Sequence, residues 1–420
     1  MKTKAVRLYG KNDLRLETFD LKEIKEDEIL AHIISDSICM STYKATLMGS
    51  EHKRVPINIK TSPIIIGHEF CGEIVKVGKK WQGEFKKGDK FAIQPAVNYK
   101  GKLDAPGYSY ANIGGASTYC IIPNEIMESG CLLKYNGSAF FYGSLCEPLS
   151  CIIGGFNASY HTTLGSYTHK MGIKKGGNLA ILAGGGAMGL AATSLAINSE
   201  NAPLLIVVTD IDKERLKRAS SILPVKRATK KGIKLVYLDV SDSKNIASHL
   251  LKLTNGKGFD DVFVYTPIKS VVELADEILA VDGCLNFFAG PTNANFKAEL
   301  NFYNVHYNAV HIVGTSGGNT KDMKKALSLI EKGELNPSNM ITHIGGLDAV
   351  IDTTLKLPLI GGGKKLIYTN IKMPLIAVEE FKKRENESEL YKKLAKIISE
   401  NGGVWSEKAE KYLLENAEAI

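Results

Sequence analysis

The sequence Asn178-Leu-Ala-Ile-Leu-Ala183 runs directly into Gly184-Gly-Gly186-Ala-Met-Gly189, and this stretch decides the fold. The first part is an apolar run of strand length, and residues 190–197 behind the glycines are small or apolar and contain no helix breaker. A second apolar run over residues 204–208 ends on Thr209-Asp210. Strand, glycine turn, helix, strand and acid thus follow one another in the order that a dinucleotide-binding site requires.

The residues of this motif have distinct predicted parts in binding a dinucleotide. Gly184 permits the tight turn, Gly186 lets the backbone approach the pyrophosphate, and Gly189 lets the helix pack closely on the sheet. Met188, within the same motif, is also expected to bind the cofactor, and the helix N-terminus supplies free N–H groups for the phosphates. Asp210 follows about 20 residues later, where a carboxylate accepts hydrogen bonds from an adenosine ribose diol.

The same stretch also has a simpler interpretation as a membrane span. Residues 179–197 carry no charge and are long enough to cross a bilayer. The clustered glycines would, however, weaken a helix interior by several kcal/mol in total. The sequence therefore favours a dinucleotide site over a membrane helix.

The composition is typical of a globular enzyme. The chain has 420 residues, enough for two or three domains, with 44% hydrophobic and 23% charged residues. The net charge of +8 comes from Lys and Arg spread along the chain, so we expect no nucleic-acid partner and no membrane anchor. The seven cysteines include no CxxC pair, and the first residues carry no apolar signal segment. Both features predict a cytoplasmic protein without a disulfide framework.

Five short segments carry a specific family resemblance. They are GHEFCGEIVKVG (67–78), KKGDKFAI (86–93), GGASTY (114–119), EPLS (147–150) and AGGGAMG (183–189). In this order and at roughly these spacings they resemble the zinc-dependent medium-chain dehydrogenase/reductase family, and most closely its polyol and sugar-phosphate dehydrogenases. The resemblance covers residues 1–370.

The resemblance implies an α/β protein with two domains and an added segment. Residues 1–152, with a return over 316–370, are expected to form a GroES-like β-barrel catalytic domain. Residues 153–315 are expected to form an NAD(P)-binding Rossmann domain, a doubly wound parallel sheet. Apolar runs in this part alternate with helix-like stretches such as residues 271–280, which favours the same fold.

Residues 371–420 exceed the usual family length and form a predicted C-terminal helical extension. One helical face would carry apolar side chains, namely Leu390, Tyr391, Leu394, Ile397 and Ile398. Gly402-Gly403 is expected to end this helix, and Ser406 is expected to cap another. The extension is either a docked appendage or a contact between subunits, and a homo-oligomer, a dimer or tetramer, is expected.

A catalytic zinc needs thiolate, imidazole or carboxylate ligands and one open position. Cys39 and His68, with either Glu69 or Glu147, supply such a set. Resemblance to the sorbitol dehydrogenase branch favours Glu147 as the carboxylate, with Glu69 as a ligand or alternate. Cys146 offers another thiolate beside Glu147. The simpler alternative is a buried cysteine with a hydrogen-bonded core histidine.

A second, structural zinc is not expected. Many family members hold one in a lobe with four closely spaced cysteines. Residues 94–119 occupy the corresponding region and contain no cysteine. One zinc per chain, the catalytic one, is therefore expected.

The residues that follow Cys39 match the family's proton path only in part. By resemblance, Ser41 is the hydroxyl that passes the substrate proton. Thr42 stands where an aspartate is usual, and Lys44 stands where a relay histidine is usual. Lys44 is either a surface lysine or a contact to a substrate phosphate.

A basic triplet, His52-Lys53-Arg54, lies between the Cys39 and His68 motifs. Such a triplet often lies on the solvent-exposed surface and binds nothing. In relatives, however, this segment lines the substrate site. Arg54 is suited to bind a phosphate with two parallel hydrogen bonds, and Lys53 or Lys44 to add a point charge.

The expected reaction is hydride transfer between NAD(P)H and a ketose or polyol. The resemblance implies that zinc polarises the carbonyl, the nicotinamide delivers hydride and Ser41 donates the proton. Asp210 favours NADH, and NADPH remains an option because Lys213 and Arg215 lie close by in sequence. The substrate is expected to be a phosphorylated ketose such as sorbose 1-phosphate. Alternatives are an unphosphorylated polyol and a non-catalytic nucleotide sensor.

Overall fold

The protein is described by a computed structural model that covers residues 1–163, 165–242 and 244–420. These residues divide into two compact units. The split unit comprises Met1–Pro148 and Asn319–Ile420, and the central unit comprises Leu149–Gly318. None of the helices in the described ranges combines the length and the apolar composition that crossing a membrane requires.

The first part of the split unit is mostly antiparallel sheet. Its strands are β1 (Lys2–Gly10), β2 (Asp13–Asp20), β3 (Ile29–Ile38), β4 (Ile64–Ile65), β5 (Phe70–Val77), β6 (Lys90–Ile93), β7 (Tyr119–Ile122) and β8 (Leu132–Lys134). Its helices are α1 (Met40–Met48), α2 (Asn124–Glu128), α3 (Phe140–Ser144) and α4 (Cys146–Ala158), and α4 continues into the central unit. β3 is central here because it pairs with both β5 and β7, and eight of its ten residues are buried.

The central unit alternates strands and helices. Its strands are β9 (Tyr160–His161), β10 (Lys170–Met171), β11 (Asn178–Leu182), β12 (Leu205–Asp210), β13 (Lys234–Asp239), β14 (Phe259–Val264), β15 (Leu279–Phe287) and β16 (His311–Gly314). Its helices are α5 (Ala187–Asn198), α6 (Lys213–Ile222), α7 (Val225–Thr229), α8 (Ile246–Leu253), α9 (Lys269–Glu277) and α10 (Phe302–Tyr307). The parallel sheet has the order β13-β12-β11-β14-β15-β16, which is the doubly wound arrangement.

One predicted boundary in the central unit is wrong. The sequence favours a helix over residues 271–280, but α9 ends at Glu277 and β15 already begins at Leu279. The backbone N–H of Phe259 donates to Ile278 O at 2.8 Å, and Leu279 pairs with Phe259. Apolar residues at this boundary suit a helix face and a buried strand equally well, so periodicity alone does not separate them.

The chain then returns to the split unit. The helices there are α11 (Thr320–Glu331), α12 (Val350–Leu355), α13 (Glu389–Glu400) and α14 (Glu407–Asn416), and the strands are β17 (Ile341–Gly346), β18 (Lys364–Tyr368) and β19 (Ile376–Ala377). β18 pairs with β3 and completes a mixed sheet in the order β19-β17-β18-β3-β5-β6-β8. The predicted strand 364–368 is confirmed, although two of its five residues are lysines.

The C-terminal extension is docked on the split unit. α13 buries the predicted apolar face through Leu394, Ile397 and Ile398, and Ser406 caps α14 by accepting from Ala409 N at 3.2 Å. These helices share a buried cluster with Trp405 and with side chains of α3 and β18. The extension is therefore part of the hydrophobic core around α3.

Candidate active site

Cys39 lies where strand β3 gives way to helix α1. It is the N-cap of α1, with extended backbone dihedrals of φ −110° and ψ 149°. The Ser41 hydroxyl, in the first turn of α1, donates to Cys39 Sγ at 3.1 Å. Burial raises the pKa of the Cys39 thiol, so a neighbouring cation is what would hold it as a thiolate.

His68 meets these residues from the loop between β4 and β5. Its Nε2 lies 3.3 Å from Ser41 Oγ, and its Nδ1 lies 3.2 Å from Thr42 Oγ1. Burial lowers the pKa of His68, which favours the neutral imidazole that metals bind. Thr42, which replaces the usual aspartate, thus lies where it can accept the Nδ1 proton and direct the Nε2 lone pair toward Ser41.

Glu69 is fully buried and lies between two polar partners. It forms an ion pair with Lys364 Nζ of β18 and accepts a hydrogen bond from Ser37 Oγ of β3. Burial alone would raise the pKa of Glu69, but Lys364, His68 and Ser37 together lower it. Burial works to lower the pKa of Lys364, yet the Glu69 carboxylate raises it. Glu69 is therefore a carboxylate and Lys364 a cation at neutral pH.

Three of these side chains form a group that fits a zinc ion. One ligand atom each of Cys39, His68 and Glu69 lies within 4.8 Å of the others. Thiolate, imidazole and carboxylate are donors that zinc accepts at about 2.0–2.3 Å in a tetrahedral arrangement. Small inward movements of the ligand atoms would bring them to that geometry, so the residues present fit the metal.

Glu147, the predicted carboxylate ligand, is outside that group of ligand atoms but borders it. It lies at the start of α4 and is buried. Burial raises the pKa of Glu147 to about 7, while His68 lowers it and Glu69 and Cys39 raise it. Cys146 beside it is fully buried, and burial raises the pKa of its thiol. The choice between Glu69 and Glu147 remains a prediction.

Tyr108 lies beside these residues, although no sequence motif predicts it there. Its hydroxyl donates to Ser41 Oγ at 2.8 Å and lies 3.3 Å from His68 Nε2. Burial raises the pKa of Tyr108 well above its ordinary value, so its hydroxyl keeps its proton. The turn that carries it needs Gly107 (φ 77°), because a Cβ there would lie 2.2 Å from Gly67 O. A Gly-Tyr pair without a known motif around it is too common to single out from sequence.

The predicted basic residues differ in burial and in their contacts. The guanidinium carbon of Arg54 lies 5.7 Å from the centre of the Tyr108 ring, and the His52 ring stacks on that ring at 5.7 Å. Lys44 is half-buried, and burial lowers its pKa. Lys53 is exposed.

The central unit holds the predicted dinucleotide loop between β11 and α5. The Asp210 carboxylate is buried at the end of β12 and accepts from Gly185 N at 2.9 Å and from Asp212 N at 3.0 Å. A Cβ on Gly189 would lie 2.3 Å from Gly184 O, which explains why the helix start requires glycine. A Cβ on Gly186 would meet open space, and Met188 is partly exposed beside it. Their contacts to a cofactor remain predictions.

The fold and this site define a zinc-type dehydrogenase with a GroES-like domain and a Rossmann domain. Residues 25–130 match the family model of the alcohol dehydrogenase GroES-like domain, and residues 187–332 match that of zinc-binding dehydrogenases. The chain belongs to the zinc-dependent medium-chain dehydrogenase family, whose cofactors are zinc and a nicotinamide dinucleotide.

Several relatives match almost the whole chain, and two of them are named enzymes. Mannitol-1-phosphate 5-dehydrogenase of Aliivibrio fischeri is 50% identical over 98% of this chain and 97% of its own length. L-sorbose 1-phosphate reductase of Klebsiella pneumoniae is 48% identical over 100% of this chain and 98% of its own length. The crystal structure of 2R,3R-butanediol dehydrogenase from Bacillus subtilis has the same fold, with a TM-score of 0.69 at 21% identity over 88% of this chain and 100% of its own. The protein is therefore an alcohol or polyol dehydrogenase.

Proposed function

We propose that this protein reduces a ketose phosphate with NADH at the Cys39–His68 centre, and that L-sorbose 1-phosphate, giving glucitol 6-phosphate, is its substrate. Both of the near full-length relatives described above are named for phosphorylated substrates. That agreement supports a phosphate on the substrate, and the L-sorbose 1-phosphate reductase supports the ketose.

The position of Arg54 carries the proposal. Its guanidinium lies over the ring whose hydroxyl contacts Ser41 and His68. Its Nε is buried and has no hydrogen-bond partner among the described residues. A buried guanidinium donor without an acceptor costs free energy unless a ligand supplies one. A phosphate is the natural acceptor because its oxygens match the planar guanidinium.

The distance from Arg54 to the reacting group also supports the substrate. One aromatic ring separates the guanidinium from the hydroxyls beside His68. In L-sorbose 1-phosphate the phosphate is on the carbon next to the carbonyl, whereas in mannitol 1-phosphate carbons 1 and 5 are far apart. A cation close to the reaction centre favours the first arrangement.

The residues of the site supply the proton chemistry. When bound, zinc polarises a carbonyl oxygen as a Lewis acid and the reduced nicotinamide supplies hydride. Ser41 holds the proton that the product hydroxyl requires, and Tyr108, which donates to Ser41 Oγ, can replace it. Thr42 keeps the Nδ1 proton of His68 engaged, which leaves Nε2 as a ligand atom.

The test is a steady-state comparison of four substrates. NADH oxidation is measured with L-sorbose 1-phosphate and L-sorbose, and NAD⁺ reduction with mannitol 1-phosphate and sorbitol. We expect the highest kcat/KM for L-sorbose 1-phosphate, and loss of activity with a zinc chelator. A higher kcat/KM for mannitol 1-phosphate would make that compound the assigned substrate instead. Rates on the free sugars equal to those on the phosphorylated ones would contradict recognition of phosphate.

A further inference from the structure

The short helix α3 connects three segments that carry the candidate metal centre. Ser144, its last residue, accepts a hydrogen bond at 3.2 Å from Ser35 Oγ in β3, the strand that leads to Cys39. Gly143 packs on β5, which follows Glu69, so closely that a Cβ would lie 2.4 Å from Cys71 Sγ. The chain then passes from α3 directly into the start of α4, where Glu147 lies. A movement of α3 would therefore reach all three segments.

The start of α3 has no capping side chain of its own. Its N-cap residue is Ala139, which has no hydrogen-bonding side chain, whereas Ser, Thr, Asp and Asn are preferred there. The acceptor comes instead from the C-terminal extension. Glu410 of α14 accepts from Phe140 N at 2.6 Å and from Phe141 N at 3.0 Å. Glu410 is 3% exposed, so water does not replace it.

The same carboxylate also contacts the strand that carries Lys364. The hydroxyl of Tyr368, the last residue of β18, donates to Glu410 at 2.8 Å and accepts from Trp405 Nε1 at 2.8 Å. Lys364, at the other end of β18, pairs with Glu69. Glu410 therefore joins the start of α3, which leads to Glu147, to the strand that holds the partner of Glu69.

We infer that Glu410 is a positioning residue for the metal centre. It fixes the spacing between α3 and β18, and through them the places of Glu147 and of the Glu69–Lys364 pair. The physical reason is that metal ligands must stand within about 0.2 Å of their ideal distances. Hydrogen bonds behind the ligands hold them there. The inference rests on the proposed function only in taking these carboxylates as part of a metal centre.

The experiment measures the release of zinc from the purified full chain to excess 4-(2-pyridylazo)resorcinol. Wild type, Glu410→Gln and Ser406→Ala are compared at a temperature where all three are folded by circular dichroism. Gln keeps the size of the side chain, but its amide N–H would face one of the two backbone N–H groups that donate to Glu410. Ser406→Ala is the matched control, because it removes the cap of the same helix and leaves the Glu410 contacts in place.

Glu410→Gln is expected to release zinc about tenfold or more faster than wild type. Its cobalt-substituted form is expected to show an altered visible spectrum. Ser406→Ala is expected to melt at a lower temperature but to release zinc at the wild-type rate. Equal release rates and spectra in wild type and Glu410→Gln would overturn the inference, and so would a wild-type chain that retains no metal.

Tyr368→Phe gives a second readout if Glu410→Gln does not fold. It removes one contact of the carboxylate and keeps the two at the start of α3, so a smaller acceleration is expected, and a wild-type release rate would overturn the inference. The zinc measurement needs no sugar substrate. Failure of the proposed substrate would appear as normal zinc retention without turnover of ketose phosphates.

Discussion

The hydroxyl of Tyr108 donates to Ser41 Oγ at 2.8 Å, so Ser41, the predicted proton donor, accepts a hydrogen bond from a buried hydroxyl. We expect the proton to use this contact, since Lys44 occupies the position where a relay histidine is usual in the family. Burial raises the pKa of Tyr108, which keeps its hydroxyl a donor over the working pH range. We propose that Tyr108 compensates for this departure from the family pattern.

Tyr108→Phe is expected to lower kcat about tenfold or more, because a hydrogen bond to a group with developing charge is worth about 1.5–3 kcal/mol. Zinc content should stay unchanged, since the hydroxyl is not a predicted ligand. Tyr237→Phe is a suitable control, because it removes a hydroxyl that donates to Leu223 O at 2.9 Å in the central unit. Unchanged kcat in Tyr108→Phe would show that the proton leaves by another route.

The second prediction concerns the metal. We expect about one zinc per chain, and we expect His68→Asn to abolish turnover because it removes a ligand that an amide replaces poorly. NADH binding, measured by fluorescence titration, should persist, since the dinucleotide loop belongs to the other unit. Two tightly held zinc ions, or full activity of His68→Asn, would contradict the proposed site.

Parts of this site could not have been predicted from the sequence. Cys39, Ser41 and His68 were found because they lie in short motifs with a known order. Lys364 lies 295 positions from its partner Glu69, and its neighbours only indicate a strand. Tyr108 comes close to His68 through a glycine turn, and no local pattern encodes that contact.

The fold was more predictable than the contacts within it. Alternating apolar runs and glycine turns indicated the parallel sheet, because strand and helix periods differ. The boundary near residue 278 was missed, since an apolar run fits both elements there. The amphipathic face of α13 indicates burial. No pattern in the sequence predicts that Glu410 of α14 lies at the start of α3, 270 positions away.

The third prediction concerns the choice of cofactor. The Asp210 carboxylate would repel a ribose 2′-phosphate, so kcat/KM is expected to be higher with NADH than with NADPH. Two nearby cations already have acidic partners, because Lys213 pairs with Asp239 at 3.4 Å and Arg215 with Asp212 at 3.3 Å. Asp210→Ala should lose the preference, whereas Asp239→Ala should keep it. An NADPH preference that Asp210→Ala leaves unchanged would show that this carboxylate does not face the ribose.

The fourth prediction concerns pH and stability. Burial raises the pKa of Glu410 to about 7 from its ordinary value of 4.5. Between these values the folded state binds the proton and the unfolded state does not, so the free energy of unfolding falls as pH rises. The loss is about 3 kcal/mol by pH 8, since each pKa unit corresponds to about 1.4 kcal/mol. Other titratable groups interact with this carboxylate, namely Cys71, Lys90, Tyr135, Tyr142 and Tyr368.

Urea unfolding of wild type and Glu410→Gln at pH 5 and pH 8 isolates this contribution. The substitution should cost most at pH 5, and its cost should shrink by about 3 kcal/mol at pH 8. Glu410→Asp is a poor control because it shortens the side chain, so the comparison uses Ser406→Ala, whose cost should not depend on pH. An equal cost of Glu410→Gln at both pH values would mean that Glu410 is ionised throughout.

Recognition of the substrate phosphate by Arg54 is the central claim, and one measurement tests it most directly. It is the ratio of kcat/KM for L-sorbose 1-phosphate to kcat/KM for L-sorbose, determined in wild type and in Arg54→Ala, with Lys53→Ala as the exposed control. The account predicts a large ratio that Arg54→Ala lowers about tenfold or more, since a charge-assisted contact is worth about 1.5–3 kcal/mol. Activity on the free sugar should remain unchanged. A ratio near one in wild type, or equal losses on both sugars in Arg54→Ala, would contradict it.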